Sequence, residues 1–250
     1  MSEQPAVFLS QVDSERFSVS IARAPLVSAD NLDAILEFCR SNNVAMLIAR
    51  CLVADLGIAQ HMERLGFSLM DTLIYYRSDL QPLQSINGID NGSDLEVRPM
   101  APGEEQQVRE VAAAAFTGYC GHYHSDPRLD RVKCDEGYQS WAHNACVSHT
   151  AGDQVLVALR QGVIVGFVAL SRTPDQGGEV RLIGIRPEVQ GSGISRSLLL
   201  HSMQLCREQG LQHLLASTQL ININAQKLWT GLGFKPLRAF YTFHKWFDHQ

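Results

Sequence analysis

The chain predicts an α/β protein built on a mixed sheet, and three observations carry that expectation. Short apolar runs such as Val44–Cys51 and Val163–Ser171 have the length and composition of buried strands. Between such runs lie stretches whose apolar residues recur at helical spacing, as at Leu32, Ile35, Leu36 and Cys39. The balance of 45% apolar and 19% charged residues is that of a globular protein with a substantial core.

The elements follow in order. An extended run is expected near Phe17–Arg23, then a helix over Asn31–Ser41 with Ser28 or Asp30 as its N-cap. Val44–Cys51 reads as a buried strand. A second helix ends at Leu65-Gly66-Phe67, with Gly66 as the stop, and Met70–Arg77 is a strand. Gln81–Asp94 is rich in Gly, Asn, Ser and Asp, shows no sustained period and reads as a linker. The expected organisation is therefore a smaller α/β domain over residues 1–80, a linker over 81–94 and a larger domain over 95–250. In the larger part we expect a strand at Leu95–Pro99 and helices over Glu104–Phe116 and Glu136–Ser148, separated by a polar and aromatic segment, Thr117–Lys133. Strands at Gln154–Arg160 and Val163–Ser171 are joined by a tight turn at Gln161-Gly162. A strand over Glu179–Arg186 precedes a helix over Ile194–Gln209. Leu211–Ser217, Asn224–Leu232 and Phe240–Trp246 complete the chain as strand, helix and strand. Leu65-Gly66-Phe67 is echoed by Leu232-Gly233-Phe234, each between a short helix and a strand. A degenerate internal copy and coincidence both account for this.

Composition excludes several classes of function. A formal charge of -5 gives no basic face for nucleic acid. The apolar runs fall far short of the roughly 20 residues that span a bilayer. The N-terminus lacks the basic and apolar regions of an export signal, and six cysteines without a CxxC pair read as reduced thiols, so a cytoplasmic location is expected.

The chemistry concentrates in Glu179–Ser197, EVRLIGIRPEVQGSGISRS. Gln190-Gly191-Ser192-Gly193-Ile194-Ser195 leads from a strand into a helix. Small residues let the backbone approach a ligand, and the helix start leaves N–H donors suited to a diphosphate. No Lys-Ser/Thr pair follows the glycines, and the spacing is not GxGxxG, so neither a P-loop nor a dinucleotide fold fits.

These residues resemble the diphosphate loop of the GNAT superfamily of acyltransferases, Gln/Arg-x-x-Gly-x-Gly/Ala. Gln190, Gly193 and Ser195 fill it, with Ser as a mild departure at the last position. The later family segment matches Asn222, Ala225, Leu228-Trp229 and Gly233-Phe234. The resemblance implies a GNAT-type sheet with flanking helices, acetyl-CoA as co-substrate, no metal, and backbone groups of Leu182, Ile183, Gly184 and Ile185 facing the pantetheine arm. It places Glu179 where many members carry the base for the acceptor amine. It also exposes a departure. Trp229 stands where the family usually has the Tyr that protonates the coenzyme sulfur, and an indole N–H is too weak an acid to replace it. Tyr241 is the first substitute candidate.

Phe116–Tyr119, His122–Arg128, Tyr138 and Trp141 resemble the acceptor side of the TDP-fucosamine acetyltransferase family, which acetylates nucleotide-linked amino sugars and also carries an N-terminal α/β domain. By that resemblance His122, His124, Arg128 and Tyr138 are acceptor-site residues. The implied partners are an acyl-CoA and a small amine, with a homodimer as an open option. Acylation of a protein, peptide or other small amine, and acyl-CoA binding without catalysis, are the competing readings.

Overall fold

The computed structural model describes residues 5–80, 94–148 and 150–247. Residues 81–93 of the expected linker lie outside the described residues. The N-terminal part runs β1 (Phe8–Leu9), α1 (Gln11–Phe17), β2 (Ile21–Ala24), α2 (Leu32–Ser41), β3 (Met46–Leu52), α3 (Leu56–Arg64) and β4 (Ser68–Asp79). The C-terminal part runs β5 (Leu95–Pro99), α4 (Glu105–Ala115), α5 (Arg131–Val147), β6 (Gln154–Arg160), β7 (Val163–Arg172) and β8 (Gly178–Ile185). A 3-10 turn at Pro187–Val189 leads to α6 (Ile194–Glu208), β9 (His213–Gln219), α7 (Ile223–Gly231) and β10 (Lys235–Trp246).

The ten strands form one mixed sheet, ordered β1-β2-β3-β10-β4-β9-β8-β7-β6-β5. The order shows that the two parts share strands. β4, from the N-terminal part, lies between β9 and β10 and runs antiparallel to both. β10, from the C-terminal part, lies between β3 and β4. Each part thus completes the sheet of the other, and backbone pairing is continuous across the boundary. The units around the exchange match in length. β3, α3 and β4 have 7, 9 and 12 residues, as do β9, α7 and β10. Both helices are capped by an acid or amide, Asp55 accepting from Ile58 N and Asn222 from Ala225 N. Both helices end before a left-handed glycine, Gly66 at φ 82° and Gly233 at φ 85°.

Local chemistry explains where the elements depart from the expected bounds. The run at Phe17–Arg23 is broken because Phe17 closes α1 and Ser18 turns the chain at φ 59°. α5 begins at Arg131, since the Asp130 carboxylate accepts from Val132 N and Lys133 N and starts the helix there. β10 begins at Lys235 because Arg77 and Tyr76 of β4 pair with Lys235 and Pro236. Gln161 and Gly162 both take positive φ, 49° and 77°, as a two-residue hairpin turn requires.

The sheet separates distinct cores. α6 covers β6–β9 on one face, where Ile194, Leu198, Leu199 and Met203 are at most 1% exposed. Each such side chain contributes about 1.5–3 kcal/mol. α4 and α5 cover the opposite face around Phe167 and Val157. α2 and α3 pack on β2, β3 and β10. A further core joins Phe17, Ile21, Met46 and Ile48 of the N-terminal part to Tyr123, Leu129 and Cys134.

Candidate active site

The site starts from a fault in the sheet. β8 pairs with β7 from Gly178 to Ile185, with a register shift at Arg181. It pairs with β9 only over Gly178, Glu179 and Val180. An extra residue bends and twists a strand. Beyond the shift β8 and β9 part, so the β9-facing edge of residues 181–185 has no ladder partner. That opening carries main-chain donors and acceptors into a cleft.

The turn after β8 supplies the second wall. Gly191 and Gly193 adopt φ 76° and 86°, a conformation that residues with a Cβ rarely take. A Cβ at either glycine would meet nothing within 4 Å, so their requirement is conformational and not one of internal packing. Gly193 is the N-cap of α6 and provides no side-chain cap, which leaves the first-turn amides without an internal partner. Two bonds brace the turn. Gln190 Nε2 donates to Ile185 O at 3.2 Å, and Ser192 Oγ donates to Val189 O at 2.6 Å. Gln190 and Ser192 therefore shape the turn. The exposed Arg196 adds a cation at its rim. Free amides and the positive end of a 15-residue helix are suited to a diphosphate.

The cleft between these walls holds about 870 Å³. Ile183, Gly184 and Ile185 line one side, and Gln190, Gly191, Gly193, Ile194 and Ser195 line the phosphate end. Asn222, Leu228 and Trp229 line the side toward α7, and Phe116, Gly118, Tyr119 and Cys120 close the far end. This assembly joins main-chain donors suited to a diphosphate with an open strand edge in one cleft. Ser192 turns its hydroxyl back to the loop, and Leu182 packs with the α4 and α5 core on the opposite face, as alternation along a strand dictates.

Trp229 is 2% exposed, stacks near Phe234 and has an enclosed Nε1 without a partner. Its ring forms part of the wall, and its N–H is not presented to the cleft. The two proposed catalytic side chains also stand elsewhere. Glu179 precedes the opening, near Arg181 at 3.8 Å, and does not line the cleft. Tyr241 points to the α2 and α3 side of the sheet, beside Phe243, because it alternates with Thr242 along β10. Neither side chain is among those that line the cleft.

The expected acceptor residues also lie apart from the cleft lining: His122, His124, Arg128 and Tyr138 are not among its side chains. His122 Nδ1 lies 2.9 Å from His244 Nε2, and His244 Nδ1 lies 2.7 Å from Asp126 Oδ2. The Asp126 carboxylate can only accept, so His244 donates to it from Nδ1. Trp246 Nε1 donates to the same Asp126 oxygen at 2.9 Å, and the Arg128 guanidinium lies 4.1 Å above the Trp246 ring. Burial, with His244 and Arg23 beside it, holds His122 well below the usual histidine range and therefore neutral. His124 accepts from Gly121 N and pairs with Asp135 at 3.0 Å. Tyr138 stacks on Phe116 at 4.4 Å, and its hydroxyl is packed over Gly121. These side chains fasten the 117–130 segment to β10 and α5. The segment's contribution to the cleft is instead Gly118, Tyr119 and Cys120.

The sequence pattern of the acetyltransferase (GNAT) family matches residues 109–234. The chain is 30% identical over 153 residues to the spore coat polysaccharide biosynthesis protein SpsD of Bacillus subtilis, covering 61% of this chain and 51% of that protein. It is 27% identical over 201 residues to the mycothiol acetyltransferase of Acidothermus cellulolyticus, covering 72% and 57%. The chain thus spans little more than half the length of these relatives. A GCN5-related N-acetyltransferase from Sphaerobacter thermophilus superposes with a TM-score of 0.65 at 15% identity, covering 96% of this chain and 76% of that one, a likeness of fold. With the family pattern spanning the turn, the open strand and α7, the chain belongs to the GNAT acetyltransferase family.

Proposed function

We propose that the protein is an N-acetyltransferase that moves an acetyl group from acetyl-CoA to the amine of a nucleotide-linked amino sugar by direct attack. One observation carries this reading: the unpaired edge of β8 and the uncapped start of α6 meet in one cleft. The similarity to a polysaccharide biosynthesis protein supports a sugar acceptor, and that to a mycothiol acetyltransferase supports acetyl transfer.

Bound acetyl-CoA supplies the thioester carbonyl to be attacked and the thiolate that leaves. The chain's own part begins with the first-turn amides of α6 and Arg196, which hold the diphosphate. The N–H groups of Ile183 and Ile185, on the edge turned away from β7, orient the pantetheine arm and stabilise negative charge on the carbonyl oxygen. With the Trp229 N–H enclosed, the thiolate departs without an acid from α7, which a thiol pKa of about 8.5 allows, and the proton lost by the attacking nitrogen passes to water. The same proposal covers organisation: residues 1–80 are a degenerate copy of the GNAT unit, supported by the equal lengths around the strand exchange.

Two assays test the reading. Acetyl-CoA should raise the melting temperature, and thiol release should be stimulated by a TDP-linked amino sugar. Release with peptides alone would transfer the proposal to a protein acceptor. Stabilisation without release by any amine would favour a binding module, the reading that the enclosed Trp229 N–H supports. Absence of stabilisation would remove every version.

A further inference from the structure

The sheet face at the far end of the cleft continues onto strands from both halves of the chain. On that face α4 and α5 cover β6 and β7, and the 122–130 segment covers β3 and the Trp246 end of β10. Between them lies a strip whose apolar residues, Leu73, Tyr75 and Phe240, belong to neither core. Cross-strand partners share a face. Pairing therefore sets Arg238 and Phe240 of β10 beside Tyr75 and Leu73 of β4, and these beside Ser217 and Gln219 of β9. The Tyr119 hydroxyl donates to Gln219 Oε1, and Tyr119 lines the cleft, so the strip begins where the cleft ends.

The strip carries positive charge. The register shift at Leu237 puts Lys235 and Arg238, three residues apart, on this one face, as a bulge re-aims the side chains that follow it. Arg77, opposite Lys235, donates to Asp79 at 2.8 Å, and Arg181, next along on β8, stands 3.8 Å from Glu179. Arg238 is exposed and has no acid partner among the described residues. Its guanidinium lies 5.4 Å from the centre of the Tyr75 ring and 5.6 Å from that of Phe240, and the two rings meet edge to face at 5.7 Å. Ring contact holds the guanidinium in place, while its five N–H donors remain for a ligand. In a chain of net charge -5, an exposed arginine fixed in this way is suited to phosphate oxygens.

Position narrows the ligand further. Neighbouring strands lie about 4.8 Å apart, so Arg238 stands about 10 Å across the sheet from β9, which borders the opening of β8. A sugar whose amine enters the cleft bridges that span with its ring and its linkage to phosphate. We propose that this strip binds the nucleoside diphosphate of the acetyl acceptor, with Arg238 and Lys235 taking the phosphates beside the Tyr75 ring. The reading rests on the amino-sugar acetylation proposed above. It adds that the N-terminal half, through β4, supplies part of the acceptor's binding surface.

The test separates the nucleotide from the amine. Arg238→Gln removes the fork at an exposed position and leaves the cleft lining intact. With a TDP-linked amino sugar as acceptor it should raise the acceptor KM about tenfold or more, the effect of losing one hydrogen bond to a charged group, and leave the acetyl-CoA KM within about twofold. Turnover of the same amino sugar without its nucleotide should be unaffected. Calorimetry with TDP alone, titrated into the full chain saturated with CoA, should show binding that weakens by a similar factor in Arg238→Gln.

Absence of TDP binding, a TDP affinity indifferent to Arg238→Gln, or an equal loss for the sugar with and without its nucleotide would overturn the proposal. So would an acidic peptide as the one ligand that depends on Arg238. Arg238-dependent TDP binding with no amine acetylated would support the strip and fault the acetyl transfer reading. Acetylation of the TDP-linked sugar with a KM indifferent to Arg238 would do the reverse.

Discussion

Two loops of this molecule are rich in polar groups, and they do opposite work. The turn at Gln190–Ser195 leaves its main-chain donors unpaired and facing a cleft. The segment from His122 to Arg128 has a denser set of polar side chains, yet their contacts run inward, to His244, Trp246, Asp135 and Asp13. Binding capacity thus follows unpaired donors and access, while polarity alone does not distinguish a site from a clamp. The clamp still has functional weight, because it fixes the stretch that brings Tyr119 and Cys120 to the cleft.

The largest expected effect lies on the turn. Gly193→Val places a β-branched residue at φ 86°, which it cannot adopt without distorting the start of α6. Thiol release should fall by about 10²-fold, the cost of misplacing a bound reactant by about an ångström. Stabilisation by acetyl-CoA should be lost as well, while urea denaturation of the free protein changes far less. Equal loss in both would mean that the turn is a structural element.

The clamp should show the reverse pattern. Asp126→Ala leaves His244 and the Trp246 N–H without their acceptor, and each buried donor left unpaired costs about 1–3 kcal/mol. Denaturant unfolding should shift accordingly, with the acetyl-CoA KM of the folded fraction little changed. A collapse of acetyl-CoA binding with stability intact would erase the contrast.

The clamp also predicts an acid dependence. His122 is held below the histidine reference of 6.5 in the folded state, so folding favours its neutral form. The stability it contributes is complete above that reference and declines as pH falls below it toward the folded-state value. Asp13 is lowered despite the opposing effect of burial, through Arg23, Ser10 and Tyr123. Asp126 is lowered against burial by His244, Arg128 N and Trp246. Their contribution is complete above the unfolded aspartate range, near 3.9, and lost as pH falls through the depressed folded values. Unfolding midpoints should therefore fall in two stages, and His122→Gln should remove the first. A flat profile from pH 7 to 4.5 would contradict this.

The smallest effects belong to the residues placed away from the cleft. Glu179→Gln and Tyr241→Phe should each alter kcat/KM by no more than about twofold, within the range of substitutions outside critical contacts. A large fall in kcat with Glu179→Gln would return that residue to the mechanism.

How much was legible in the sequence follows from how local each signal is. The turn was readable because Gln190, Gly193 and Ser195 act through backbone conformation within a few residues. The paired Leu-Gly-Phe stops were readable for the same reason, since a left-handed glycine ends a helix by itself. The strand exchange was not, because β4 and β10 meet across more than half the chain and nothing near either records its partner. The same limit hid the surroundings of His122: its neighbours His244 and Asp126 are assembled by tertiary packing, and a histidine in a polar segment looks alike whether clamped or free. Tyr119 carried a weak signal, standing in the acceptor-like stretch without being singled out. Trp229 lines the cleft, and the direction of its N–H is a property of packing.

The central claim is that the first-turn amides of α6 receive the coenzyme's diphosphate. Diffraction from crystals grown with CoA tests it most directly. The account predicts diphosphate oxygens at hydrogen-bond distance, about 2.7–3.2 Å, from main-chain nitrogens of residues 191–196, with the pantetheine arm along residues 183–185. A diphosphate held by side chains elsewhere, with this turn facing solvent, would contradict it.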